Sequence, residues 1–291
     1  MGVTLRVRRT GPLALVEDLG RPGASAIGVG RSGAADRAAL RQANRALANP
    51  EGAAAVEVTL GGLEVEVVGG LAWFCVTGAP SPVTVDGREV GPYSVLSVRP
   101  GQMLRLGVPP HGLRSYVAVR GGLEVAAVLG SRSHDVLAGI GPAPLAEGDE
   151  LPVGQPPDDF PGVDVLPPPR FDDDVLLTVV RGPRDEWVSD VEALVGSGWT
   201  ASDETNRIGM RLTGPGLSHR DPDRQLRSEG ACRGALQVPP SGEPVLFLAD
   251  HPVTGGYPVV AVVVDADVDR AAQVRPGQTV RFRWSPTRGA R

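Results

Sequence analysis

VEVTLGGLEVEVVGG, residues 56–70, places Val58 and Leu60 before a glycine pair and Leu63, Val65 and Val67 after it. Period-two alternation interrupted by Gly-Gly predicts a strand, a tight turn and a second strand, a hairpin that begins at Glu57. The signal continues downstream: LAWFCVTG, VTVDGREV, YSVLSV, MLRLGV and SYVAVRGGLEV follow at short spacing, and Asp86-Gly87 is a hairpin-turn pair. In the second half DVLLTVVRG, RIGMRLTG, GALQVP, PVLFLAD, YPVVAVVV and TVRFRW read the same way. With 39 Gly and 28 Pro supplying the turns, the chain is expected to be all-β, built as barrels or sandwiches with a few short helices. Asp36 to Asn49 is the best helix, capped by Asp36, with Leu40, Ala43 and Leu47 on one face and Asn49-Pro50 as its stop. A second is expected from Asp185, burying Trp187, Val191, Leu194 and Val195, and a short third over Val268 to Gln273.

Two domains are expected, 1–150 and 175–291, joined by a Pro- and Asp-rich connection at 151–174. RPGQMLRL at 99–106 is echoed by RPGQTVRF at 275–282, each a turn opening a strand near the end of its half, which implies two similar β-barrels.

All 29 basic residues are Arg, set against 34 acidic residues for a net charge of −5. Without a single Lys, the chain cannot form a Schiff base, build a Walker-type phosphate loop or carry covalent biotin. No basic stripe marks a nucleic-acid surface, no apolar run is long enough for a membrane span, and MGVTLRVRRTG lacks a signal-type core, so a cytoplasmic protein is expected. Cys75 and Cys232 show no metal or redox spacing and read as small buried apolar residues. His111, His134, His219 and His251 have no metal spacing either, and no metal site is expected.

Polar residues gather at Gly-rich turns, where backbone can approach a ligand. In the first half these are Asp18 and Arg21, then Ser32 and Asp36, with Glu57 close behind. A carboxylate and a guanidinium three residues apart can clamp a substrate; the plainer reading makes them turn and cap residues. The second half is denser: Arg207 and Arg211 flank a glycine, Glu229 and Gln237 follow, and Asp250-His251 precedes Thr254-Gly255-Gly256-Tyr257. That last turn offers backbone N–H groups, a hydroxyl and a phenol, the components of an oxyanion site. Asp250, at a strand end, is a candidate acid or base, or simply a residue that starts a turn.

Taken in order, VEDLGRPG (16–23), GVGRSGAADRAALRQANRALANPEGAAAVEVTLGG (28–62), RSYVAVRGGLEVAAVLGSRS (114–133), TNRIGMRLTGP (205–215), RSEGACRGALQVPPSGEPVLFLAD (227–250) and TGGYPVVAVVVDAD (254–267) resemble the family of the 5-oxoprolinase C subunit. It is also called the biotin-dependent carboxyltransferase or allophanate hydrolase subunit 2 family and includes KipA. The resemblance implies two cyclophilin-like β-barrel domains and a complex with a KipI-like B subunit and a LamB/YcsF-like A subunit. That complex opens a cyclic amide, 5-oxo-L-proline, to L-glutamate at the expense of ATP with magnesium. Matched to the family pattern, Asp250, Glu229, Arg207, Arg211, Thr254 and Tyr257 are the expected catalytic residues. Asp18, Arg21, Ser32, Asp36, Glu57, Gln237, Gly255 and Gly256 are the expected substrate-binding ones. Pro252 and Val253 stand where the family has Gln and Thr, and Met210 where it has an aromatic residue. Two other roles fit the resemblance: the carboxyltransferase component of a biotin-dependent urea or amide carboxylase, and a non-enzymatic antagonist of a KipI-type kinase inhibitor.

Overall fold

In the computed structural model, which describes residues 2–160, 162–163 and 165–286, the chain is mainly β and divides into two compact units. The first comprises the chain up to Arg21, Ser32–Asp135 and Gly139–Phe171; the second comprises Pro22–Arg31, Val136–Ala138 and the chain from Asp172 on. Most of the 151–174 connection, up to Phe171, belongs to the first unit. Phe160 packs there edge-on against Trp73, ring centroids 4.9 Å apart.

The opening stretch folds differently from the expected hairpin. Strand Ala55–Thr59 lies in a five-stranded sheet and strand Leu63–Val68 in a six-stranded one, so the glycine pair is a corner between sheets. Leu60, Gly61 and Gly62 take φ of 56°, 69° and 85° in succession. Their neighbour turns the same corner: Thr4–Thr10 pairs with Leu63–Val68, and beyond Gly11-Pro12, Leu13–Glu17 pairs with Ala55–Thr59. The two runs thus form one long antiparallel ribbon bent across both sheets. Only Gly fits at the bend, since a Cβ on Gly61 would run into the Gly107 carbonyl and one on Gly62 would sit 2.9 Å from the Gly11 Cα.

In strand order, the six-stranded sheet is Glu150–Pro152, Thr4–Thr10, Leu63–Val68, Met103–Leu106, Val83–Val85, Arg88–Val90. The other is Leu13–Glu17, Ala55–Thr59, Arg114–Val119, Ala72–Gly78, Val95–Val98. Leu5, Val7, Val65 and Leu104 from one sheet share a core with Val56, Val58, Phe74, Val76 and Val117 from the other. The opposite face of the five-stranded sheet, Ala55, Cys75, Tyr116 and Ala118, is covered by Leu40, Ala43 and Leu47 of the helix region. Arg114–Val119 is consequently buried along its whole length. The helix itself runs Arg37–Ala46, and Asp36 caps it by accepting the Ala39 N–H at 2.9 Å.

The second unit closes completely. Its barrel order is Asp174–Arg181, Val259–Val263, Ala235–Gln237, Val245–Phe247, Gly209–Thr213, Gly198–Ala201, Thr279–Trp284. Parallel pairing of Asp174–Arg181 with Thr279–Trp284 seals it and removes both sheet edges. Trp199, Met210, Leu212, Leu246, Val280 and Phe282 fill the interior.

The RPGQ echo repeats as a turn, although only the second unit forms a closed barrel: in each copy the Gln side chain accepts the Arg backbone N–H, Arg99 to Gln102 at 2.9 Å and Arg275 to Gln278 at 2.7 Å. Gly101 and Gly277 take φ of 83° and 86°. The second expected helix breaks into a 3-10 turn at Asp185–Trp187 and a single turn at Ala193–Gly196, because Val188 between them is extended. The third forms at Asp265–Ala271. Cys75 is buried as expected, but Cys232 is exposed, lying in the turn before Ala235 instead of in a strand. No helix among the described residues is long and apolar enough to cross a membrane.

Candidate functional site

Five of the expected site residues, Arg211, Gln237, Gly255, Gly256 and Tyr257, gather on the outer wall of the barrel in the second unit. Along Gly209–Thr213, Met210 and Leu212 point into the core, so alternation turns Arg211 outward. Register aligns Arg211 with Val245 and Val245 with Gln237, setting a guanidinium and an amide on the two strands that flank Val245–Phe247. Phe247, two residues along, stacks on His251 with centroids 5.8 Å apart. The Thr254–Gly255 strand, paired to Glu229–Gly230, faces this wall, and a Cβ on Gly255 would lie 3.4 Å from Gln237 Oε1. Between them is a cleft of about 370 Å³ lined by Arg211, Gln237, Phe247, Gly255, Gly256 and Tyr257, among others. Tyr257 is 46% exposed and stands at the opening.

One cation, two amides (Gln237 and Asn206), one phenol and the Glu204 carboxylate around an apolar floor suit a small polar ligand bearing a carboxylate or amide. Arg211 is held by Glu204, Nε to Oε2 2.9 Å, with side chains 59% and 69% exposed. Such an exposed pair contributes at most about 1 kcal/mol, so a ligand carboxylate can displace Glu204 at little cost.

The other expected catalytic residues are placed elsewhere. Arg207 and Asp250 form a bidentate pair, Nε to Oδ2 2.8 Å and Nη2 to Oδ1 3.0 Å, with side chains only 2% and 0% exposed. Asp250 Oδ2 also accepts the Val136 N–H at 3.1 Å, and the Asp250 N–H donates to the Arg207 carbonyl at 3.0 Å. With both oxygens engaged, Asp250 ties together the 207 loop, the 250 turn and residue 136; it does not line the cleft. Glu229 makes a two-point ion pair with Arg184. Thr254 lies on the exposed side of the two-stranded ribbon. His251, His134 and His219 each donate a ring N–H to a backbone carbonyl, of Pro252, Pro142 and Val238 respectively.

The departures from the family pattern fall at three different depths. Pro252 lines the cleft. Val253 contributes its carbonyl, which accepts the Ala231 N–H at 2.9 Å, a service any residue supplies. Met210 is buried in the barrel core, where it changes packing and leaves the cleft surface alone.

In the first unit the expected binding residues form a buried polar framework. Asp18 Oδ1 accepts from the Gly20 N–H at 2.7 Å and from the Ser131 and Ser133 hydroxyls at 2.6 Å each, and Oδ2 accepts the Arg132 N–H at 2.7 Å. Arg21, 1% exposed, donates from Nη2 to the Ser133 carbonyl; among the described residues its Nε and Nη1 have no hydrogen-bond partner. Ser32, at φ 55°, donates to the His134 carbonyl at 3.2 Å. Glu57 Oε2 accepts from Tyr116 Oη at 2.8 Å and from the Ala35 N–H at 2.9 Å, while Tyr116 Oη accepts the Asp36 N–H at 2.7 Å. Burial and the neighbouring Glu57 push the Tyr116 phenol well above its ordinary value, so it remains a neutral donor. Ser131, Ser133, Tyr116 and Arg114, whose Nε lies 3.5 Å from Glu57 Oε1, complete this framework and were not singled out by the sequence. The only hint was the alternating Ser131-Arg132-Ser133.

The carboxyltransferase domain family, subdomains A and B, matches residues 27–284. This chain belongs to that family. It is 37% identical to the C subunit of 5-oxoprolinase from Escherichia coli K12, over 96% of this chain and 90% of that one. It is 31% identical to the putative urea carboxylase of Emericella nidulans, covering 94% of this chain but 23% of that protein. Among solved structures, TTHA0988 superposes with a TM-score of 0.88 at 31% identity, over 97% of this chain and 56% of that one. The Kluyveromyces lactis urea carboxylase gives a TM-score of 0.88 at 28% identity, over 96% of this chain and 27% of that one. The chain thus spans nearly the whole of the oxoprolinase subunit and about a quarter of the urea carboxylases.

Proposed function

We propose that this chain is the C subunit of an ATP-dependent 5-oxoprolinase, acting with a KipI-like B subunit and a LamB/YcsF-like A subunit to open 5-oxo-L-proline to L-glutamate. The observation that carries the reading is the barrel-wall cleft, where Arg211, Gln237 and Tyr257 converge on the Gly255-Gly256 backbone. 5-Oxoproline presents a carboxylate and a lactam on a compact ring. Arg211 takes the carboxylate in place of Glu204, and the Gln237 amide, with one donor face and one acceptor, matches the lactam N–H and C=O. Tyr257 Oη supplies a donor where charge develops on the lactam oxygen. Near-full-length likeness to two proteins named as the C subunit of 5-oxoprolinase, from Escherichia coli and Haemophilus influenzae, supports this substrate.

ATP is assigned under this reading to a partner subunit and not to this chain. The chain has no Lys for a phosphate loop, and no cluster of three His, Cys, Asp or Glu able to hold magnesium exists among the described residues. Under this reading nucleotide and metal belong to a partner protein of the complex, and this chain binds and orients the lactam. The test is co-expression with the neighbouring subunits, followed by measurement of glutamate formed from 5-oxoproline and ATP. An intact complex that forms no glutamate overturns the proposal. The likeness to urea carboxylases supports a second reading, in which the same cleft holds urea or another amide for carboxylation. Carboxylation of urea by this chain with a biotin carboxylase and carrier would establish that reading instead.

A further inference from the structure

We propose that the first unit carries a second small-molecule site, for a carboxylate with an aromatic or apolar body, separate from the barrel-wall cleft. A cleft of about 400 Å³ lies there, walled by Trp73, Leu71 and Val3, floored by Val153 and Gly154, and bounded by Arg120. Its volume is in the range of pockets that hold small ligands.

Arg120 is fixed before any ligand arrives. Its Nη2 donates to the Pro157 and Asp159 carbonyls at 2.5 and 2.8 Å, and its guanidinium lies 4.6 Å over the Phe160 ring. Phe160 in turn meets Trp73 edge-on, so the same residue braces both the cation and the indole. These contacts use one nitrogen and one face of the guanidinium. Nε and Nη1 make no hydrogen bond among the described residues, and Nε is buried while Nη1 retains access to solvent. A held guanidinium with an open Nη1 beside an indole loses little entropy on binding a carboxylate whose apolar part covers Trp73 and Leu71. Glu124, which packs beside Gly154, is paired with Arg132 at 2.6 Å.

The test uses the full chain and phenylacetate as probe, with phenylacetamide as its uncharged match, followed through the Trp73 indole N–H resonance, assigned with Trp73→Phe. Phenylacetate is expected to shift that resonance and bind at least tenfold more tightly than phenylacetamide, a difference of about 1.4 kcal/mol. Leu71→Glu, at a position already 47% exposed, puts a like charge at the rim without disturbing the core and should weaken binding about tenfold, as should Arg120→Gln. Leu71→Arg should not weaken it. Arg211→Gln should leave it unchanged, which separates this site from the barrel-wall cleft. Equal binding of acid and amide, or indifference to both Leu71→Glu and Arg120→Gln, overturns the proposal.

Discussion

Replacing Asp250 with Ala leaves the Arg207 guanidinium, 2% exposed, without the carboxylate that engages it at 2.8 and 3.0 Å. Breaking a buried pair from one side costs about 3–5 kcal/mol, because the remaining charge is uncompensated. The Val136 N–H loses its acceptor as well, which places the expected value toward the upper end of that range. At about 4 °C per kcal/mol for a unit of this size, the melting temperature should fall by about 12–20 °C. Urea unfolding, followed by tryptophan fluorescence, reads the loss directly, since Trp199 lies in the barrel core with its Nε1–H donated to the Leu194 carbonyl at 2.9 Å. The double variant Asp250→Leu with Arg207→Met removes both charges and should recover at least about 2 kcal/mol of the loss. If Asp250→Ala costs less than about 1 kcal/mol, or the double variant is no more stable than the single one, the pair does not tie the two turns together.

Gly61→Ala forces a side chain at φ 69° into the Gly107 carbonyl and should cost about 3 kcal/mol or more, read as lost stability or solubility of the chain. The Met103 N–H and the Gln102 side chain, bonded to the Asp86 carboxylate at 2.8 and 2.9 Å, hold its pKa below the ordinary value. A depressed carboxylate stabilises the fold above its unfolded pKa of about 3.9 and loses that contribution as pH falls through the folded value. Asp86→Asn should therefore lower the melting temperature at neutral pH and flatten its decline in acid. Native protein should react with a thiol reagent at Cys232 alone: Cys75 is buried and its thiol is pushed up to about 12, so the second equivalent should appear only in denaturant.

Local chemistry was legible in the sequence wherever one short stretch determines it. Asp36 caps the helix it was expected to cap, and the repeated RPGQ is the same turn twice. The alternation in residues 56–70 gave two strands correctly, but a period of two is blind to which strand lies alongside, so a corner between sheets and a hairpin look alike. The helix expected from Asp185 failed because its apolar spacing is met equally by a 3-10 turn, an extended Val188 and one further turn. Pairings across long separations were out of reach for the same reason. Asp250 meets Arg207 43 residues away, and Asp18 meets Ser133 115 residues away. A charged residue at a glycine turn looks the same whether it faces a ligand or another turn.

Under the proposed function, the barrel-wall cleft binds the substrate carboxylate through Arg211. The most direct measurement is glutamate release by the purified complex carrying Arg211→Gln, compared with the parent at matched assembly. The expected result is an intact complex whose KM for 5-oxoproline rises at least tenfold, the loss of about 1.5–3 kcal/mol of a charge-assisted hydrogen bond. An unchanged KM in an active, fully assembled complex would contradict it.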